Sequence, residues 1–187
     1  MMNRAPDSSN QDKRGGMKHT LVALVENKPG VLNRVVSLFR RRGFNISSLT
    51  VGETENPEIS RMTIVVDADR TSTSLVQKNL YKLVSVLHVR DVTTERTVMR
   101  DLALVKVSAT NSSRTDIMQF TDAYRARIVD VSPGALVIEI SGDEDKINAF
   151  VDLMRPFGIK EMVRTGVVAM VRGSSAGESA EEETDEQ

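Results

Sequence analysis

The chain of 187 residues contains no cysteine and no tryptophan, and it has only two histidines, His19 and His88. The absence of thiols excludes disulfides, thiolate metal sites and cysteine catalysis. Neither histidine belongs to a metal-binding motif such as HExxH, so we interpret both as structural or surface residues. Because GxGxxG and Walker sequences are also missing, we predict no catalytic site, no metal and no cofactor in this chain.

Long hydrophobic segments are absent as well. No apolar run approaches the roughly 18 residues that a membrane span requires. The first 16 residues carry Asp7 and Asp12 and lack the apolar stretch of a secretory signal. We therefore expect a cytoplasmic protein with no membrane partner.

The ends of the chain differ in composition from its middle. Residues 173–187 hold six acidic and no basic side chains, and residues 1–16 have few apolar ones. Neither segment offers enough apolar surface to offset the entropy of ordering, so we predict disordered tails at 1–16 and 173–187. The acidic tail is interpreted as a solvated segment, with contact to a basic partner as the alternative.

The middle of the chain alternates between strand and helix patterns, and the order β-α-β-β-α-β occurs twice. Strands are predicted over 19–25, 46–52, 62–68, 86–94, 102–109, 128–131, 136–140 and 160–170. Helices are predicted from 31 to Gly43, from 74 onward, over 116–124 and over 146–154. This pattern predicts an α+β fold of two ferredoxin-like units, 17–95 and 96–172. Each would be an antiparallel sheet with two helices on one face, which leaves the other face free to pair.

Two local features of this pattern lead to specific predictions. In the first helix, five apolar residues recur at helical spacing and are predicted to face the core: Val31, Leu32, Val35, Val36 and Phe39. In the second unit, Pro133 followed by Gly134 predicts a type II turn between two strands.

The sequence NKPGVL at 27–32, between the first strand and the first helix, suits an anion-binding turn. Pro29 favours extended geometry before it, and Gly30 lets the backbone turn closely. Free amides at a helix N-terminus favour a carboxylate, and here they would be those of Gly30, Val31 and Leu32. Asn27 and Asn45 could bind the ammonium or the carboxylate of a ligand. A plain βα turn with a helix cap is the alternative.

Arg40, Arg41 and Arg42 raise the question of RNA binding, since some ferredoxin-like folds bind RNA. Such sheets stack bases on aromatic side chains of their strands. Aromatic residues make up only 4% of this chain, and the predicted strands contain almost none. We therefore interpret the three arginines as complementing the helix C-terminus, and we expect no nucleic-acid partner.

Several segments carry a resemblance to a known family. They are LVENKPGVLNRV at 24–35, RRGFNI at 41–46, SLTV at 48–51 and SRMTI at 60–64, with further similarity at 82–84, 104–107 and 164–168. In this order and at these distances they resemble the regulatory (small) subunit of acetolactate synthase, also called acetohydroxyacid synthase. The resemblance covers nearly all of residues 17–173.

The resemblance implies an N-terminal ACT domain that binds an amino-acid effector, followed by a second ferredoxin-like domain. Two chains would form a homodimer by pairing their ACT sheets edge to edge, with valine or a related branched-chain amino acid in the interface. The effector-binding residues it implies are the backbone amides of Gly30, Val31 and Leu32, the side chain of Asn27, and Asn45 with Ile46 from the partner chain.

The resemblance also implies a separate catalytic large subunit that uses thiamine diphosphate, Mg²⁺ and FAD to condense pyruvate with pyruvate or 2-oxobutanoate. The present chain would raise the activity of that subunit and make it sensitive to the end product. A different ACT-type amino-acid sensor, which would bind its ligand but ignore the catalytic subunit, is the alternative.

Overall fold

The computed structural model describes residues 18–67 and 70–173, so the predicted tails lie outside the described residues except for Gly173. The first unit consists of β1 (Lys18–Glu26), α1 (Val31–Arg42), β2 (Asn45–Glu53), β3 (Ile59–Asp67), α2 (Arg70–Leu80) and β4 (Val86–Asp91). The second consists of β5 (Thr97–Ser108), α3 (Arg114–Ala123), β6 (Arg127–Ser132), β7 (Ala135–Gly142), α4 (Glu144–Met154), a short 3₁₀ helix (Arg155–Phe157), β8 (Ile159–Arg164) and β9 (Val168–Val171).

The two sheets have the same topology. Their strand orders are β2-β3-β1-β4 and β6-β7-β5-β8, so the first strand of each unit lies in the interior of its sheet. All the pairings are antiparallel. The predicted α+β fold of two ferredoxin-like units is therefore confirmed.

Alternate residues of the central strands pack against the helices. In the first unit Leu21, Ala23 and Val25 of β1 join buried residues of α1 and α2 in one apolar core. In α1 the inward prediction is correct for Val31, Val35 and Phe39, but it is wrong for Leu32 and Val36. Leu32 and Val36 are 43% and 37% exposed, and Leu38 is buried instead. The apolar face of α1 is therefore rotated away from these two residues.

The second core forms between β5, β7 and the two helices of that unit. Its largest fully buried side chains include Ile138 and Ile140 of β7. The four residues of α4 predicted to face inward are all buried in this core: Ile147, Phe150, Val151 and Met154.

Residues 160–170, predicted as one strand, form two. β8 pairs with the middle of β5, and β9 pairs with its first residues. Residues 165–167 lie opposite only Asp101 and Leu102, because Arg164 pairs with Ala103 and Val168 pairs with Arg100. One strand thus carries an extra residue, as in a β-bulge.

The junction between the two units also differs from the prediction. β4 ends at Asp91 and β5 begins at Thr97, whereas the pattern placed these limits at 94 and 102. Asp91 Oδ1 accepts a hydrogen bond from the Thr93 amide at 3.0 Å. Such local side-chain bonds compete with strand extension, which explains the early end of β4.

The turn at Pro133-Gly134 is not type II, because Gly134 does not have the positive φ that this turn requires. Donors from outside the hairpin hold its backbone. The Gly134 carbonyl accepts from the Ala109 amide at 3.2 Å and from Lys160 Nζ at 3.0 Å. These contacts, which lie far away in sequence, select the turn geometry.

The helix-free face of the first sheet, which was predicted to be free to pair, is covered by part of the second unit. The start of β5 and the strand β9 lie on it, and Val22, Val92 and Ala169 form a buried apolar cluster there. Arg61 Nη2 donates to the Ala169 carbonyl at 2.8 Å, and burial lowers the pKa of Arg61. The two units therefore share an apolar seam.

Two further findings concern the residues that the structure describes. None of their helices is both long enough and apolar enough to cross a membrane. Within the same residues, no three His, Asp or Glu side chains are arranged to hold a metal ion.

Candidate functional site

A type II turn joins β1 to α1. Pro29 and Gly30 occupy its two central positions, and the Val31 amide donates to the Lys28 carbonyl at 3.3 Å. Gly30 has φ 83° and ψ −7°. The second central residue of a type II turn needs this conformation, and glycine adopts it without a Cβ penalty. The Pro-Gly pair at 29–30 thus forms the turn type that was predicted at 133–134.

Three backbone amides at this turn are available to a ligand. Those of Gly30, Leu32 and Asn33 have no hydrogen-bond partner among the described residues, whereas the Val31 amide, predicted to be free, closes the turn. They lie at the N-terminus of a 12-residue helix, where the helix dipole favours negative charge. A Cβ atom at Gly30 would meet no atom within 4 Å, so this side of the turn is open.

Asn33 is a donor that the motif did not indicate. The first four amides of any helix lack intrahelical partners, so the predicted start of α1 was sufficient to include it. Leu32 and Val36, four residues apart, place exposed aliphatic side chains on the same helix face. The N-terminus of α1 therefore combines free amides with apolar surface.

Asn27 connects the turn to the loop between β2 and β3. Its Nδ2 donates to the Pro57 carbonyl at 2.9 Å and to Glu53 Oε1 at 3.3 Å. A cleft of about 450 Å³ lies beside this connection, and its lining residues come from both chain segments and from β4: Glu26, Asn27, Lys28, Asn56, Pro57, Glu58, Ile59 and Leu87. The structure therefore brings Asn27 and the Gly30 turn to the same end of the first sheet.

Charges of both signs surround the turn. Lys28 Nζ donates to Glu26 Oε1 at 3.0 Å, and this hydrogen bond lowers the pKa of the Glu26 carboxyl. Arg34 Nη1 donates to Ser85 Oγ at 3.1 Å, which holds a second cation near the start of α1. The turn thus offers two cations and, in Glu26 and Glu53, two carboxylates.

Asn45 and Ile46 lie at the opposite end of the sheet. Asn45 begins β2 and is paired with Asp67, whereas Glu53, which contacts Asn27, ends the same strand. Eight residue steps of strand separate them, a distance of about 26 Å at roughly 3.3 Å per residue. Within one chain these two residues therefore cannot share a pocket with the Gly30 turn. β2 is an edge strand, so its outer side has no paired strand among the described residues of the single chain.

The remaining candidate residues have structural positions. Arg40 and Arg41 lie in the last turn of α1 together with Arg42, which donates to Asn79 Oδ1 at 3.3 Å. His19 is buried with Nδ1 3.4 Å from Asp91 Oδ2, and His88 packs edge to face on a tyrosine ring. These positions agree with their interpretation as structural residues.

Comparisons with known proteins decide the family. One family model, described as the small subunit of acetolactate synthase, matches residues 100–173, and another, the AHAS small subunit-like ACT domain, matches residues 21–88. A probable acetolactate synthase small subunit from Archaeoglobus fulgidus is 57% identical over 158 residues, which are 84% of this chain and 99% of that protein. The chain belongs to the acetolactate synthase small-subunit family.

Other members of the small-subunit family agree with this assignment. The acetolactate synthase small subunit of Mycobacterium bovis is 46% identical over 83% of this chain and 92% of its own. The crystal structure of the acetolactate synthase small subunit from Thermotoga maritima superposes with a TM-score of 0.79 at 42% identity, covering 84% of this chain and 99% of that one. The segment matched by the small-subunit ACT model includes Asn27, the Gly30 turn, Asn45 and Ile46.

Proposed function

We propose that this chain binds a branched-chain amino acid, with valine as the first candidate, and that it regulates the catalytic large subunit of acetolactate synthase. It raises the activity of that subunit and confers feedback inhibition by the end product. The observation that carries the proposal is the group of amides at Gly30, Leu32 and Asn33, which have no partner within the described part of the chain and lie in the ACT domain of a small-subunit family member.

The chemistry of the turn matches each part of a valine molecule. The free amides and the helix dipole suit the carboxylate. The exposed side chains of Leu32 and Val36 suit an aliphatic group, which gains about 25 cal/mol per Å² of apolar surface removed from water. The carboxylate of Glu53 and the side-chain oxygen of Asn27 suit the ammonium.

The proposed pocket also requires a second chain. If two copies pair their β2 edges antiparallel about a two-fold axis through the middle of the strand, Asn45 of one copy lies beside Glu53 of the other. That arrangement removes the separation of about 26 Å that one chain imposes, at roughly 3.3 Å per residue. It also satisfies the unpaired backbone groups of an exposed edge strand, which otherwise invite uncontrolled pairing. We therefore propose a homodimer with Asn45 and Ile46 contributed by the partner.

The catalytic chemistry belongs to the large subunit in this proposal, and that subunit holds the thiamine diphosphate, Mg²⁺ and FAD. The role of the present chain is to bind valine better in one arrangement of the complex than in another. A coupling of about 1–3 kcal/mol between the two sites would suffice for effective inhibition.

Reconstitution tests the proposal. Large subunit from the same source is assayed for acetolactate formation alone, with this chain, and with this chain plus valine, leucine or isoleucine. We expect the chain to raise the activity and at least one of the three amino acids to lower it again. If calorimetry shows that valine binds this chain but the activity of the large subunit does not change, a different ACT-type sensor would be supported. Unchanged activity and no binding would refute the regulatory role.

A further inference from the structure

The two units meet at a joint that involves β2, the strand in which the proposed function places the effector residues Asn45 and Ile46. The joint is formed by residues 165–167 of the bulge between β8 and β9. The Val167 amide donates to Ser48 Oγ of β2 at 2.9 Å. Ser48 lies only two residues beyond Ile46 in the same strand, so the second unit contacts β2 close to the proposed pocket.

Gly166 permits this approach. Its φ is +90°, a conformation that residues with a side chain rarely adopt. A Cβ atom there would lie 2.8 Å from Ser48 Oγ, which is closer than Cβ atoms in folded proteins pack, and 3.0 Å from Thr50 Oγ1, which is a tight contact. Any other residue at this position would therefore force the Ser48 and Thr50 hydroxyls, or the bulge itself, to move.

A buried carboxylate holds the bulge in place. Asp101 is 4% exposed. Its Oδ2 accepts from Arg164 Nε at 2.8 Å and lies 2.6 Å from Arg164 Nη2. Its Oδ1 accepts from Thr165 Oγ1 at 3.1 Å and from the Gly166 amide at 3.2 Å. Because charge-assisted hydrogen bonds are strong and directional, these contacts hold the bulge firmly on the second sheet.

On the β2 side of the joint, the hydrogen bonding is less complete. Thr50 Oγ1 is buried and has no hydrogen-bond partner among the described residues. A buried polar atom without a partner costs free energy, so this hydroxyl destabilises the closed joint. A cleft of about 340 Å³ beside the joint, lined by Ser47 and Leu49 of β2 and by Glu144 and Arg164, leaves space for movement.

We infer that this joint transmits effector occupancy from the ACT domain to the second unit. In the joint, Gly166 and Val167 lie against Ser48 and Thr50, and hydrogen bonds to Asp101 hold the bulge in position. The inference rests on the proposed function. Effector binding at the β2 ends changes the position of β2, and the bulge carries that change to β8 and β5. Gly166 and Ser48 are positioning residues, since neither contacts the proposed effector.

The experiment compares Gly166→Ala with Gly134→Ala in the complex of full-length chain and large subunit. Gly134 is a neutral control in the same unit, because a Cβ there meets no atom within 4 Å and its φ is not positive. For each complex we measure activation without effector, inhibition by valine, and valine affinity of the chain by calorimetry. Ser48→Ala, which removes the acceptor without adding a clash, is the second variant in case Gly166→Ala does not fold.

In Gly166→Ala and Ser48→Ala we expect activation and valine affinity of the free chain to remain as in wild type. The valine concentration for half inhibition should rise at least about fivefold, the low end of allosteric coupling factors. Gly134→Ala should behave as wild type. If valine inhibits the wild-type complex and both joint variants equally, the coupling role is refuted. If no branched-chain amino acid inhibits even the wild-type complex, the proposed function fails and the coupling role fails with it.

Discussion

The Gly30 turn allows the effect of charge at the proposed anion site to be separated from the effect of backbone strain. Gly30→Asp and Gly30→Asn place side chains of nearly equal size at the same φ of +83°, and a Cβ there meets no atom within 4 Å. Both variants incur the left-handed penalty, at most about 1–2 kcal/mol and smaller for Asn and Asp. Only the aspartate adds a negative charge in front of the free amides.

The size of the charge effect follows from Coulomb's law. Two carboxylates about 4 Å apart repel by about 1 kcal/mol in water and by about 4 kcal/mol at an effective dielectric constant of 20. At about 1.4 kcal/mol per factor of ten, Gly30→Asp should weaken valine binding by about fivefold to several hundredfold relative to Gly30→Asn. Gly30→Asn itself should stay close to wild type.

Calorimetric titration with valine at two salt concentrations measures this difference. Salt screens charge, with a Debye length of about 10 Å at 0.1 M and 3 Å at 1 M, so the gap between the two variants should narrow in high salt. Equal losses in both variants would assign the effect to strain. Wild-type affinity in Gly30→Asp would refute the anion site altogether.

Three other predictions concern stability, pH and the basic helix end. Phe150→Ala should lower the free energy of unfolding by about 3–5 kcal/mol in denaturant titrations, whereas Val84→Ala, at a residue 94% exposed, should change it by less than about 0.5 kcal/mol. Because Lys28 lowers the pKa of Glu26 below 4.5, their bond stabilises the fold above about pH 4.5 and is lost as the pH falls through the lowered value. Lys28→Met should return the pKa of Glu26 towards 4.5 in an NMR titration. Arg40→Ala should leave valine affinity nearly unchanged, and a large loss would instead indicate a basic-patch mechanism.

The element order was predictable because it depends on local periodicity. The inward positions of α4 are an example, since Ile147, Phe150, Val151 and Met154 follow helical spacing without exception. The start of α1 and the Gly30 turn were also predictable, because Pro fixes its own φ and Gly permits a positive φ, and both effects depend on neighbouring atoms alone.

Features that depend on distant contacts were not predictable. The turn at Gly134 is fixed by Ala109 and Lys160, which the local Pro-Gly pattern does not include. The interruption between β8 and β9 arises where Thr165 and Gly166 bond to Asp101, a residue more than 60 positions earlier. Asn45 is a further case, because its distance from the Gly30 turn becomes evident only from the strand register.

Titration of the reconstituted complex with valine, followed by enzyme activity and by calorimetry on the same samples, tests whether this chain is the effector-binding regulatory subunit. We expect saturable valine binding that coincides with inhibition, and both should stay near wild type in Gly30→Asn and need at least about fivefold more valine in Gly30→Asp. Inhibition of Gly30→Asp at the same valine concentration as wild type would contradict the proposed site, and an absence of binding by valine, leucine and isoleucine to the wild-type complex would contradict the proposed function.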